Sequence, residues 1–176
     1  MRIERPAPGE YNPYFQRYVS RVAEADVLPV LEAQRAEIRR VLSGVPEERG
    51  GYRYAPGKWT VRQLVGHVID TERIMAYRAL CIARGETAAL PGFEQDDYVA
   101  SAGHDRWRLA ELLEDFDTVR RSNVAMLAHL DEAALRSVGT AGDHPTSVRA
   151  LAFVMAGHVR HHLGILAERY GIGAAA

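Results

Sequence analysis

Three histidines stand where helical spacing would bring them together. On a wheel of about 100° per residue, Leu151, Met155 and Ile165 fall within about 60° of His158, and His162 lies about 40° away, so His158 and His162 share one apolar stripe a turn apart. Imidazoles at i and i+4 aim two nitrogens at one point, the geometry that helical Zn²⁺ sites use. His67 belongs to an earlier helical segment, where Leu64, Thr71 and Ile74 share its direction, so it too points inward. Three inward imidazoles from two helices could meet inside a bundle as a three-histidine site with a coordination position open to water. That is the catalytic rather than the structural pattern. His161 falls on the flank of the stripe, better placed to support than to lead.

A single inward histidine is more often a core residue hydrogen-bonded to a carbonyl or carboxylate. Three neutral imidazoles without matching acids are harder to explain that way, because each unpartnered one costs roughly 1–3 kcal/mol and one shared cation satisfies all three. Asp70, one turn after His67, is the candidate carboxylate for orienting an imidazole or a water at the metal, or else a partner for a rim arginine. Arg78 and Arg169 each follow a candidate ligand by about three turns, or ~16 Å of axis, where they could neutralise a substrate carboxylate at a cavity mouth or close a helix-end ion pair. Glu72 and Arg73 project to other sides, toward neighbouring helices or a second subunit. Trp59 reads as a hydrophobic staple, Cys81 as a small buried apolar residue, and His104, His129 and His144 as solvated side chains in or beside loops.

The elements that must position these groups are helical. Asn12-Pro13 predicts a cap and a short helix through about residue 25, after which Asp26 can cap a longer one carrying Val27, Leu31, Gln34, Ile38 and Val41 and ended by Gly44 and Pro46. Thr60 and Gln63 form a capping box for a helix running to about Arg84 and stopped by Gly85. A third long helix spans about 106–130, with Asp105 as its cap, and a fourth begins at Thr146 or Ser147 and stops at Gly171. No segment alternates with period two, so no strand is predicted, and residues 171–176 are expected to fray. The connections 44–59, 85–105 and 131–146 exceed the ~2–8 residues of an up-and-down bundle, so at least one crosses over; 85–105 is long enough to leave the second and third long helices parallel.

Composition sets the outer bounds. With 176 residues, 47% hydrophobic and 26% charged, the chain reads as one soluble globular domain over 1–176 whose core needs no disulfide or structural metal. Lys+Arg 22 against Asp+Glu 23 leaves no net field for nucleic acid or an anionic membrane. A single cysteine excludes an intrachain disulfide and a CxxC metal site, and fits a reducing compartment. The N-terminus lacks the apolar region of a secretory signal, and the longest apolar run, 150–159, is about half the ~20 residues a bilayer span requires. The expectation is a cytoplasmic protein without a membrane segment.

The run KWTVRQLVGHVIDTE from Lys58 to Glu72, the LPGF of 90–93, and the GHVRHHLGIL of 157–166 followed by Glu168 and Tyr170 resemble the DinB/YfiT-like family of metal-dependent enzymes. The likeness runs from Tyr11 to Tyr170, and its signature is Trp-x₇-His combined with His-x-x-His-His. The resemblance implies an all-α four-helix bundle of up-down-down-up order, a metal triad at His67, His158 and His162, and homodimerisation, for which the sequence itself offers no interface. It also implies a divalent metal, Zn²⁺ or Ni²⁺, and a thiol-S-transferase activity in which mycothiol, bacillithiol or glutathione becomes a thiolate nucleophile toward a small electrophile. Two alternatives stand beside it: a hydrolase of a small amide or ester with water activated at the same metal, and a noncatalytic metal-binding stress-response module. Three imidazoles accept Zn, Ni, Cu or Co. A site closed by a fourth protein ligand would favour the noncatalytic reading, and an open position facing a cavity would favour an enzyme.

Overall fold

Capping chemistry sets most of the helix ends. Thr60 accepts the Gln63 N–H and Gln63 returns a bond to the Thr60 N–H, starting a helix over Val61–Ala83. Ser147 accepts the Ala150 N–H at the start of a helix over Val148–Tyr170, which Gly171 ends in the left-handed region at φ 64°. The computed structural model describes residues 2–173. In chain order its elements are α1 (Gln16–Val19), α2 (Leu28–Leu42), α3 (Val61–Ala83), α4 (Gln95–Ala102), α5 (Leu109–Ala128), α6 (Glu132–Arg136), β1 (Val138–Ala141), β2 (His144–Ser147) and α7 (Val148–Tyr170).

Helices α2, α3, α5 and α7 form a four-helix bundle, and side-chain pairs give its directions. Arg35 pairs with Asp117 and Arg39 with Glu114, so α2 and α5 are antiparallel. Thr60 meets Asp105 at one end and Glu72 meets Arg120 further along, so α3 and α5 are parallel. The Tyr170 hydroxyl donates to the Trp59 carbonyl while Ile82 lies over Gly139, so α3 and α7 are antiparallel. Gln34 reaches the Ala156 carbonyl and Val41 meets Gly173, so α2 and α7 are parallel. The order is up-down-down-up, with segment 85–105 traversing the bundle as its length predicts.

Four expectations are corrected. The helix expected over 13–25 is a 3₁₀ turn at Pro13–Phe15 followed by α1, which stops at Val19 because Arg5 binds the carbonyls of Val19 and Val22 and Glu4 bridges to Asp26. Asp105 does not cap α5; its carboxylate accepts from the Thr60 hydroxyl at 2.5 Å, and Glu47 receives the Leu109 N–H at 3.1 Å instead. Strands do exist: β1 and β2 form a hairpin around Gly142-Asp143, with Gly142 at φ 61°, and each strand is too short to display alternation. The tail is held through 173, since the buried Ile172 bonds to the Leu166 carbonyl; residues 174–176 of the expected frayed tail lie outside the described residues. The long connections also hold helices α4 and α6.

The core divides along the bundle axis. One apolar cluster takes α7 up to Ala156 and α3 from Met75; the other takes α3 up to Ile69 and α7 from Val159. A polar seam lies between them. Glu72 accepts from Arg120 at 2.7 and 2.9 Å and from Asn123 at 3.1 Å, Arg120 donates to Gln34 at 2.7 Å, and Gln34 donates to the Ala156 carbonyl at 2.8 Å. This network ties all four long helices together one turn from the histidines. Among the described residues no helix is long and apolar enough to cross a membrane.

Candidate functional site

The antiparallel contact of α3 with α7 brings the inward stripes of the two helices face to face beside the seam. His158 Nε2 lies 3.1 Å from His67 Nε2 and 3.0 Å from His162 Nε2, and all three rings are buried. Burial pushes the three imidazoles well toward the neutral form, His67 to about 4 and His158 and His162 well below their usual range. Three uncharged nitrogens therefore converge on one point. Among the described residues His162 Nδ1 is buried without a partner, and one Nε2 cannot serve both neighbours fully, because a neutral ring has one donor and one acceptor.

This donor set fits a divalent ion. Metal–nitrogen bonds of ~2.0–2.1 Å place tetrahedral ligand atoms roughly 3.3 Å apart, close to the two separations observed. Among the described residues no carboxylate or thiol joins the three histidines in the cluster.

Two aromatic rings flank the cluster. Trp59, read from sequence as a staple, packs its indole on His67 with centroids 4.7 Å apart. Tyr18 stands edge-on to His158 at 5.2 Å and to His161 at 5.4 Å. No spacing rule pointed to Tyr18, and its signal lies in Gly157. A Cβ at position 157 would overlap the Tyr18 carbonyl, so glycine there lets α1 seat directly on α7.

The cluster lies between two cavities. One, of about 470 Å³, is lined by His67, His158, Met75, Arg78, Phe93 and Val154, among others. The other, of about 360 Å³, is lined by His161, His162, Lys58, Arg17, Tyr54 and Tyr170, among others. Tyr14, Tyr18 and Gln95 line both.

The remaining sequence candidates separate. Arg78 is buried and lines the larger cavity, whereas Arg169 is exposed and lines neither. Asp70 makes no hydrogen bond to the three imidazoles; its carboxylate lies 3.8 Å from His104 Nε2 and 3.9 Å from Arg73, the rim arrangement that was its alternative. Burial pushes the Asp70 carboxyl up, against the pull of His104 and Arg73. His104 is itself buried rather than solvated, because Gly66 leaves the gap its ring occupies. His144, half-buried, lines the larger cavity, and His129 is exposed as expected. Glu72 pairs with α5 rather than with a second subunit.

The chain belongs to the DinB superfamily, whose family model matches residues 30–166. Its fold is similar to that of YfiT from Bacillus subtilis, described as a probable metal-dependent hydrolase with an unusual four-helix bundle topology, at 18% identity and a TM-score of 0.73 over 94% of this chain and 93% of that one. It is also similar to a mycothiol-dependent maleylpyruvate isomerase, at 14% identity and a TM-score of 0.67 over 85% of this chain and 61% of that one. No curated protein matches the sequence.

Proposed function

We propose that the protein is a metal-dependent thiol-S-transferase that joins a low-molecular-weight thiol to a small electrophile, with Zn²⁺ or Ni²⁺ held by His67, His158 and His162. The observation that carries this reading is the placement of the three imidazoles between two cavities of ligand size, with two histidines lining one and the third lining the other. Two organic substrates need two chambers meeting at one point, while hydrolysis needs one chamber and water. The mycothiol dependence of one structural neighbour agrees with a thiol as the second substrate.

A divalent ion on three neutral ligands keeps its full charge and would favour the anionic form of a thiol beside it. The chain's residues do the rest. Lys58, Arg17 and Asp96 line the smaller cavity with the hydroxyl-bearing Tyr54 and Tyr170, a lining suited to the polar, hydrogen-bonding body of such a thiol. Tyr18 and Trp59 exclude water from the sides of the cluster. The sulfur forms the new S–C bond, its proton passes to solvent, and the electron pair moves to the leaving group or, in an addition, to the neighbouring atom. Cys81, packed against the core away from the cluster, takes no part.

The test is a matched rate comparison with mycothiol, bacillithiol, glutathione and no thiol, against generic electrophiles and esters. Conjugation should require thiol, vanish in His67→Ala and survive Cys81→Ser. The description of YfiT as a probable hydrolase favours the second reading, and metal-dependent ester hydrolysis indifferent to every thiol would establish it in place of the first. Silence in every assay with metal bound would move the weight to the noncatalytic module.

A further inference from the structure

In the wall of the larger cavity stands a cation that, among the described residues, has no ion-pair partner. Arg78 is 5% exposed, and among the described residues no carboxylate lies within ion-pair distance of it. Its one strong hydrogen bond goes from Nη2 to the Pro91 carbonyl at 2.5 Å, and its other polar contact is the weak one to the Met75 sulfur at 3.9 Å. The Phe93 ring, 5.8 Å from the guanidinium carbon, offers only partial compensation. Buried charges are ordinarily paired, so an unpaired one in a cavity wall marks a place for an anion.

Its position also gives a direction. Arg78 and His67 sit on the same face of α3, about three turns apart, and Thr71 and Met75 between them line the same cavity. An anion at Arg78 therefore points the far end of its molecule toward His67 and His158. The wall beside that path is apolar, with Phe15, Met75, Phe93 and Val154. Glu94 and Asp143 also line the cavity, which disfavours a ligand of higher charge, and one guanidinium balances one negative charge. A carboxylate fits these conditions better than a phosphate dianion.

We propose that the larger cavity binds a small monocarboxylate with an apolar or aromatic body, its carboxylate on Arg78 and its reacting end at the histidine cluster. This rests on the proposed transferase reading only for the name of the reaction; the binding itself requires neither thiol nor turnover.

The test is a ligand-observed NMR titration of the purified full-length protein, without thiol, using 3-phenylpropanoate and its neutral amide. The wild type should bind the carboxylate about tenfold or more tightly than the amide, as charge-assisted hydrogen bonds require. Arg78→Gln keeps a donor for the Pro91 carbonyl and removes the charge, so it should hold the amide as before and lose the preference. Retained preference in Arg78→Gln, or none in the wild type, overturns the proposal. Displacement of 3-phenylpropanoate by millimolar inorganic phosphate overturns the carboxylate assignment. Thiol-independent hydrolysis would sink the transferase reading and leave this titration unaffected.

Discussion

Glu72 and Arg120 form a two-pronged ion pair, 2.7 and 2.9 Å, in which neither side chain is more than 2% exposed. Such a pair contributes less to stability than its geometry suggests, since both charges were removed from water, but breaking it leaves one buried charge uncompensated. Glu72→Gln should therefore cost about 3–5 kcal/mol, lowering the thermal midpoint by roughly 6–20 °C for a chain of this size. The double change Glu72→Leu with Arg120→Met should recover most of that loss. Denaturant unfolding of both variants checks the pair, and a double variant no better than the single would assign the cost to packing instead.

The histidines give the second prediction. His158→Ala or His162→Ala should cut metal content about tenfold or more while leaving helical circular dichroism intact, because the two apolar clusters fold the bundle without an ion. His161→Ala should be milder, since its ring stands edge-on to His162 and does not join the Nε2 cluster. Full metal retention in both His158 and His162 variants would discard the site, and an equal loss in His161→Ala would mean that the wrong member of the pair was chosen.

These two sites differ in how far the sequence exposes them. The histidine stripe was readable because helical periodicity is local: His158 and His162 are fixed relative to each other by one turn, and the capping box at Thr60 sets the phase of α3 around His67. The crossover that leaves α3 and α5 parallel was likewise legible in the length of 85–105, while the full up-down-down-up order came with the family resemblance. Which of the two readings of Asp70 its neighbours favour was not legible, because a wheel gives a direction from the axis but says nothing of which neighbour fills it, and His104 from a distant loop lies beside it. Tyr18 and the burial of His104 both depend on a glycine opposite, Gly157 and Gly66, and a missing side chain carries no periodic signal. The hairpin escaped for a related reason, since its pairing is written in the two-residue turn Gly142-Asp143 more than in the strands.

Gly157 supplies a sharper test of that last point. In a helix interior Gly→Ala ordinarily stabilises by about 0.5–1 kcal/mol. Here the added methyl would overlap the Tyr18 carbonyl, so Gly157→Ala should lower stability by about 1–3 kcal/mol, as overpacking does. Amide hydrogen exchange should accelerate at 16–22 while α7 stays protected. A rise in the thermal midpoint would show that α1 does not depend on this contact.

The N-terminal segment that carries Asn12, Tyr14 and Tyr18 to the cavities is also anchored at its other end, by Glu10. Its carboxylate takes hydrogen bonds from Arg149, the Ser147 hydroxyl and the Ala7 N–H, and its carbonyl accepts the Ser147 N–H at 2.9 Å, so it clamps the first residues of the chain to the start of α7. Burial pushes the Glu10 carboxyl up, but Arg149 and the other two donors together outweigh it and hold it at about 2, against an ordinary value of 4.5. A carboxyl whose folded value is depressed contributes its stabilisation fully above pH 4.5 and loses it as pH falls through 2. The stability advantage of wild type over Glu10→Gln should therefore be constant from pH 7 to about 5 and shrink steadily toward pH 2. Thermal melts of the two proteins across that range measure the difference directly; no gap at any pH would mean that Glu10 acts through its backbone carbonyl alone, and a gap that stays flat down to pH 2 would mean that its side chain acts without its charge.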